Sequence, residues 1–300
     1  MRAIFVLTPA ESKRLIGKAV ASMDEVKRAK NNDKIIIGHG TTNIFVAEEI
    51  LGRDKFAEFI NRDRYVSGLV MRGVLCTSLA EEKGPIVVLN RGVVEPPAPT
   101  MGELLGDFGR DGVFIKGANA LDPDRNASVF VAHPEGGTIG WAIGTILARG
   151  IRLIVPVGLE KLIPSVKTAV SKCGQMRFDY FQGQKIGMIP LPGAKVITEI
   201  EALEIMTGAQ SFHVGSGGSS GSEGSVTLVT EGDAFHVKKA IELIESIKGT
   251  PPLRPRKGIC LTCVPKSPAE PMDYKMKEDL LHCSYQGKRE EDLPEYLRKR

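Results

Sequence analysis

The chain has no uninterrupted apolar run near the roughly 18 residues that a bilayer-spanning helix needs, so a membrane protein is not expected. It is poor in aromatic residues, with one Trp, five Tyr and eleven Phe in 300 positions. It is also poor in net charge, with 40 basic against 36 acidic residues. A nucleic-acid partner calls for a basic surplus or a basic stripe interleaved with stacking aromatics, and neither is present. Cysteine is sparse, odd in number and scattered: Cys76, Cys173, Cys260, Cys263 and Cys283. That usage fits reduced thiols in the cytoplasm better than a disulfide framework. The short apolar run at the N-terminus has no basic lead-in and no small-residue cleavage site, so it does not read as a signal peptide.

Glycine is what the chain has in surplus, at 33 residues, which implies many tight turns or close backbone approaches. Glu11 to Lys30 carries Leu15, Ala19, Val20, Met23 and Val26 near the helical period, predicting one helix. Lys34-Ile35-Ile36-Ile37 then reads as a strand, stopped by Gly38-His39-Gly40 and followed by a helical pattern through Ile44, Val46, Ala47, Ile50 and Leu51 to Gly52. Further strands are predicted over Tyr65–Val70, Pro85–Leu89, Gly112–Gly117, Ser128–Ala132 and Arg152–Val157, with a helix over Thr138–Arg149. Short apolar runs alternating with helices predict an α/β fold over 1–192, with a Rossmann-like, mostly parallel sheet and helices on both faces.

Residues 193–249 read as a small α+β module, lid-like in position. It has strands at Lys195–Ile197, Phe212–Val214 and Ser225–Thr230, a helix over Glu199–Met206, and a last helix capped by Asp233 and running to Lys248. The Gly/Ser loop 215–224 could close over a ligand, though a flexible hairpin connection is the simpler reading. Dense proline opens an extended C-terminal segment, 250–300, expected to wrap a surface or a neighbouring subunit.

Three constellations could carry chemistry. Gly38, Gly40, Thr41, Thr42 and Asn43 join a strand to a helix start, where bare backbone N–H groups, hydroxyls and the helix dipole could cradle a phosphate or a carboxylate. The bland alternative is an ordinary tight turn; a dinucleotide loop fits less well, because Asn43 stands where a third glycine belongs. Lys116, at the exit of an apolar strand and followed by Gly117, Asn119 and Asp122, could steady an oxyanion while Asp122 moves a proton. Its alternative is a salt-bridged lysine and an Asp-Pro turn. In His133-Pro134-Glu135-Gly136-Gly137-Thr138, Glu135 could serve as base or nucleophile, and Gly136 and Gly137 could open an oxyanion pocket. The same residues also read as a capped helix start.

With these motifs in this order, residues 10–165 resemble the superfamily of ribose-5-phosphate isomerase, glucosamine-6-phosphate deaminase, sugar-regulated transcriptional repressors and CoA transferases. The likeness rests on Gly38 to Asn43, on Asp111 followed by Lys116-Gly117-Ala118-Asn119-Ala120, and on Ile154 to Lys161. It implies a small phosphorylated or carboxylated metabolite as ligand, aldose–ketose isomerisation as default chemistry, no cofactor, and a homo-oligomer. The chain departs from the isomerases in having Gly-Ala-Asn-Ala where they continue through glycines to a catalytic glutamate; Leu121 to Ala127 holds no Glu. Relatives acting on methylthioribose phosphate carry an Asp where Asn119 stands. A second reading therefore stands beside the enzyme: a ligand-binding or assembly protein that keeps the fold without catalysis.

Of the remaining signals, Cys260-Leu261-Thr262-Cys263 has metal-pair spacing that His282 and Cys283 could complete as a zinc site, but a single C-x-x-C does not by itself assign a metal. Cys76 and Cys173 read as small buried side chains, and Trp141 as core.

Overall fold

A strand with no exposed position lies inside a sheet covered on both faces, and Lys34–Ile37 (β2) is buried at all four positions. The computed structural model describes residues 1–67, 70–78, 83–96, 100–255, 259–263 and 283–298. In it β2 lies within a six-stranded sheet with Val87–Asn90 (β5), Val93–Glu95 (β6), Val113–Ile115 (β7), Arg152–Pro156 (β10) and Lys195–Ile197 (β12), in the order β12-β10-β7-β2-β5-β6. The strands from β12 to β2 run parallel, whereas β5 and β6 are antiparallel. The fold is thus mixed α/β on a mixed sheet where a mostly parallel one was expected. The cause is β5, which runs against the other strands and pairs antiparallel with both β2 and β6; it turns into β6 through Arg91 and Gly92, both at positive φ (47° and 78°), as the tight hairpin turns require.

Helix Pro9–Ser22 (α1) opens on a capping box: Glu11 N–H donates to Thr8 Oγ1, and Thr8 N–H donates to the Glu11 carboxylate. The single helix expected over Glu11–Lys30 is two. Met23 takes extended backbone, and Asp24–Asn32 (α2) begins after it, which turns Val26 and Ala29 onto the same core as Leu15, Ile16 and Ala19. Helix Thr41–Leu51 (α3) crosses α1 so closely that a Cβ on Gly17 would lie 2.8 Å from the Phe45 carbonyl carbon. Gly17→Ala is therefore expected to destabilise the chain by about 1–3 kcal/mol through overpacking, against the roughly 0.5–1 kcal/mol gain usual for Gly→Ala inside a helix. Urea unfolding checks this; an unchanged or raised midpoint would mean the two helices part at no cost.

The other helices are Arg53–Phe59 (α4), Met101–Gly106 (α5), Gly137–Arg149 (α6), Val166–Lys172 (α7), Glu199–Thr207 (α8) and Ala234–Ile247 (α9). Among the described residues none is long and apolar enough to cross a membrane.

Smaller sheets complete the fold. Ala120–Leu121 (β8), Ala127–Val131 (β9) and Gly187–Pro190 (β11) form one antiparallel sheet, Val70–Met71 (β3) and Val74–Leu75 (β4) a short hairpin. Arg2–Leu7 (β1), Gln210–Ser216 (β13) and Val226–Glu231 (β14) form the last sheet, in the order β1-β14-β13. The expected division at 192 is therefore crossed twice: β1 joins the sheet of the later module, and β12, expected in that module, is an edge strand of the large sheet. Tyr65 does not start a strand. It follows a short 3-10 turn and is buried, its hydroxyl donating to the Ile37 carbonyl and accepting Val87 N–H at 3.0 Å, which ties the loop under the end of β2. The described part of 250–300 contains no α-helix and no named strand.

Candidate functional site

The carboxyl ends of β2, β7 and β10 point the same way, which is where open α/β sheets place ligands. Gly38–Gly40 and the start of α3 follow β2, Lys116–Asn119 follows β7, and a 3-10 turn at Leu159–Lys161 follows β10. Because β5 is antiparallel and pairs Val87 with Ile37, the residues entering it, Lys83 and Gly84, arrive at the same end. Beyond β9, His133 to Gly136 leads into α6. Together these segments enclose a cleft of about 230 Å³, below the roughly 300–1,000 Å³ of pockets for drug-sized ligands.

Thr41 and Thr42 at the start of α3 line the cleft, and so do Gly136, Gly137 and Thr138 at the start of α6. The first N–H groups of a helix have no acceptor within it, so two helix N-termini offer donors and positive dipole ends to one space. Thr42 Oγ1 is buried with no hydrogen-bond partner among the described residues. The Asn119 Oδ1 accepts Phe130 N–H at 3.1 Å, which leaves its Nδ2 as the end available to the cleft.

Lys83, Lys116 and Lys161 line the same walls, and no carboxylate does among the described residues. Among the described residues none of the three has an ion-pair partner: the Lys161 ammonium donates to the Ala118 carbonyl at 2.9 Å, and Lys116 Nζ donates to the Gly117 carbonyl at 3.4 Å. Burial, reinforced by the charge of Lys161, lowers the Lys116 pKa to about 8. Burial also lowers Lys83. His39 is pushed down to about 4, chiefly by burial. It is therefore neutral at pH 7, and its Nε2–H donates to the Gly84 carbonyl at 2.6 Å.

The sequence-derived candidates divide. Gly40, Thr41, Thr42, Lys116, Gly117, Asn119, Gly136 and Gly137 meet at the cleft. Gly38 and Asn43 stand behind it. A Cβ on Gly38 would come 3.1 Å from Lys116 Cδ, so this glycine lets the lysine pass, and Asn43 Nδ2 donates to the Gly38 carbonyl at 2.7 Å, bracing the turn.

Asp122 does not line the cleft. Its carboxylate is buried and accepts Asn126 N–H and Val166 N–H, each at 2.9 Å, which pins the β8–β9 turn to α7 and holds its pKa below the usual range against the cost of burial. Glu135 lies beside the cleft, with Trp141 Nε1 donating to its Oε2 at 3.3 Å. Trp141, expected in the core, is half-buried and packs edge-on to His133, a cleft residue.

The sequence reading assigned no role to Lys83 and did not place Lys161 in the site. The first lies in a charged stretch with no motif; the second could have been found from its place after β10. No family model, curated protein or solved structure matches this chain.

Proposed function

We propose that this chain, a Rossmann-like relative of the sugar-phosphate isomerases, binds a small phosphorylated or carboxylated metabolite in the cleft and acts on it. The observation that carries the reading is the convergence of Lys83, Lys116 and Lys161 with two helix N-termini on a cleft that no described carboxylate lines. Cations partly desolvated in a cleft without a counter-charge are costly, as the lowered pKa values of Lys116 and Lys83 reflect, and an anionic guest offsets that cost. In this reading the backbone N–H groups at Thr41 and Gly137 and the Asn119 amide hold the anion. Lys116, with its lowered pKa, steadies a developing oxyanion or passes a proton at pH 7–8. Asp122 is committed to backbone amides, which removes one of the two expected proton carriers and leaves Glu135, held by Trp141 beside the cleft. That specific observation favours the second reading, binding without turnover.

Calorimetry and thermal shift with sugar phosphates, short carboxylates and inorganic phosphate test the proposal. A guest at a hundredfold its Kd should stabilise the fold by about 2.7 kcal/mol. Affinity should fall as pH rises through about 8, because Lys116 loses its proton there. It should also fall for a phosphate ester below roughly pH 6, where the dianion is protonated; a carboxylate guest lacks that lower limb. No binding by any of these anions at pH 7 would sink the proposal. Binding with no isomerisation of any bound sugar phosphate would leave the second reading.

A further inference from the structure

Outside the cleft, one group of nucleophilic side chains remains unused. Cys76, Cys260 and Cys283 belong to a small hydrophobic cluster, separate from the main core, with Val74, Tyr285, Leu293 and Leu297. Cys260 and Cys283 are buried in it. Cys263 lies three residues from Cys260, across a turn closed by Thr262 N–H donating to the Ile259 carbonyl at 3.2 Å. Four of the five cysteines thus belong to one corner of the molecule or to a turn at its edge, although they come from positions as distant as 76 and 283.

Main-chain hydrogen bonds bring them there. Leu75 N–H donates to the Gln182 carbonyl at 3.1 Å, Gln184 N–H to the Leu75 carbonyl at 2.8 Å, and Ser284 N–H to the Gly183 carbonyl at 2.9 Å. Gln184 and Cys283 form a β-bridge. A Cβ on Gly183 would sit 1.9 Å from the Leu75 carbonyl oxygen, and its φ of 93° suits glycine, so these segments meet only because residue 183 has no side chain. From the other side, Gly287 N–H donates to the Cys260 carbonyl at 2.8 Å, tying the turn after Cys283 to the C-x-x-C turn.

We infer that Cys76, Cys260, Cys263 and Cys283 bind one structural zinc ion as a four-thiolate site that holds the C-terminal segment against the β3–β4 hairpin. Paired C-x-x-C thiols with two further cysteines are a zinc-ligand set, and soft thiolates favour zinc among the abundant divalent ions. A cluster this small does not hold an irregular segment in place by burial alone. Its cysteines would pack better as aliphatic residues if packing were their only task, since chemistry rather than packing usually keeps a cysteine. No disulfide joins any of them. Cys76 Sγ contacts the Thr77 carbonyl at 3.4 Å. Among the described residues no three acidic, histidine or cysteine side chains are already gathered so as to hold a metal. The ion itself closes the site, drawing together thiols that the chain path has brought near, and it displaces their protons as it binds. His282, which the sequence offers as a possible further ligand, lies outside the described residues; Cys76 supplies the fourth thiolate from the described ones. Thr77 and Gln184 line the anion cleft, so the metal would brace that wall from behind. The inference stands whether or not the cleft binds an anion.

The full-length chain, purified without chelators, should carry about one equivalent of zinc by inductively coupled plasma mass spectrometry. Cys173→Ser should keep it, while Cys76→Ser and Cys283→Ser should each lose it. Should those variants fail to fold, the wild-type chain decides. Titrating it with a mercurial in the presence of a zinc-sensing dye should release zinc in step with thiol modification, and the apo chain given cobalt should show the intense visible bands of a tetrahedral thiolate complex. Absence of zinc with no cobalt spectrum overturns the inference. So does zinc retained in Cys76→Ser, or iron with sulfide in zinc's place.

Discussion

Lys116→Met is expected to abolish most anion affinity and to stabilise the folded chain at the same time. Methionine keeps the length of the apolar stem that runs past Gly38, where a Cβ would already crowd Lys116 Cδ at 3.1 Å, but it removes the ammonium. Charge-assisted hydrogen bonds contribute about 1.5–3 kcal/mol each, so the loss of affinity should be roughly ten- to a hundredfold. The stability gain arises because the empty cleft holds Lys116 near Lys161 with no described carboxylate to answer it. Its size should be on the order of 1–3 kcal/mol, the cost of a buried group left unsatisfied.

The sign with pH follows from the lowered pKa. Lys116 titrates near 8 when folded and at its ordinary value, 10.5, when unfolded. The unfolded chain therefore binds the extra proton between those limits, and folding is penalised in full below about pH 8. The penalty fades as pH rises toward 10.5. The advantage of the methionine variant in urea melts should thus be largest at pH 7 and small near pH 10. A variant less stable than wild type at pH 7, or one that binds the anion unchanged, would remove Lys116 from the cleft's function.

Glu48→Ala should cost more stability than any exposed substitution, about 3–5 kcal/mol, the usual result of breaking one side of a buried ion pair. Glu48 on α3 stands 2.5 Å from Arg14 on α1, each side chain only 5% exposed. Its second oxygen lies 2.6 Å from Arg62 Nε. Both guanidinium groups lie over the Phe45 ring, 4.5 and 4.9 Å from its centre. Removing Glu48 leaves two cations against one ring, with only Glu49 close to Arg14. Glu49 is more exposed, so Glu49→Ala should cost about 1 kcal/mol or less. Chemical denaturation of both variants checks the pair; equal, small losses would show that the buried network contributes no more than a surface bridge.

The parts of the site that sequence reveals are those built from one contiguous stretch. Gly38 to Thr42 is legible because strand, turn and helix start follow each other without a gap, and each has its own residue signature. Lys83 is not, since it reaches the cleft through antiparallel pairing, and its neighbour Gly84 meets His39 across 45 residues. Asp122 shows the opposite failure. A carboxylate after a strand is equally suited to catalysis and to collecting backbone amides, and the amide that decides, Val166 N–H, lies 44 residues on. In the fold, β2 and β10 were plain from their unbroken apolar runs. The strand that makes the sheet mixed is β5, set by its antiparallel pairing with β2, and an apolar run such as Val87 to Leu89 gives no warning of its direction. Strand β1 alternates exposed and partly buried residues down to buried Leu7, but the strand that makes sense of the alternation is far away in the chain.

That distance orders the protein's biosynthesis. Arg2 pairs with Glu231 across 229 residues, so at translation speeds of about 5–20 residues per second β1 waits roughly 10–50 s for its partner to leave the ribosome. Every strand of the large sheet has been made by Ile197, and every described wall of the cleft by Gln184. A nascent chain paused before Val226 can therefore already hold every described wall of the cleft while its first strand still has no strand to pair with.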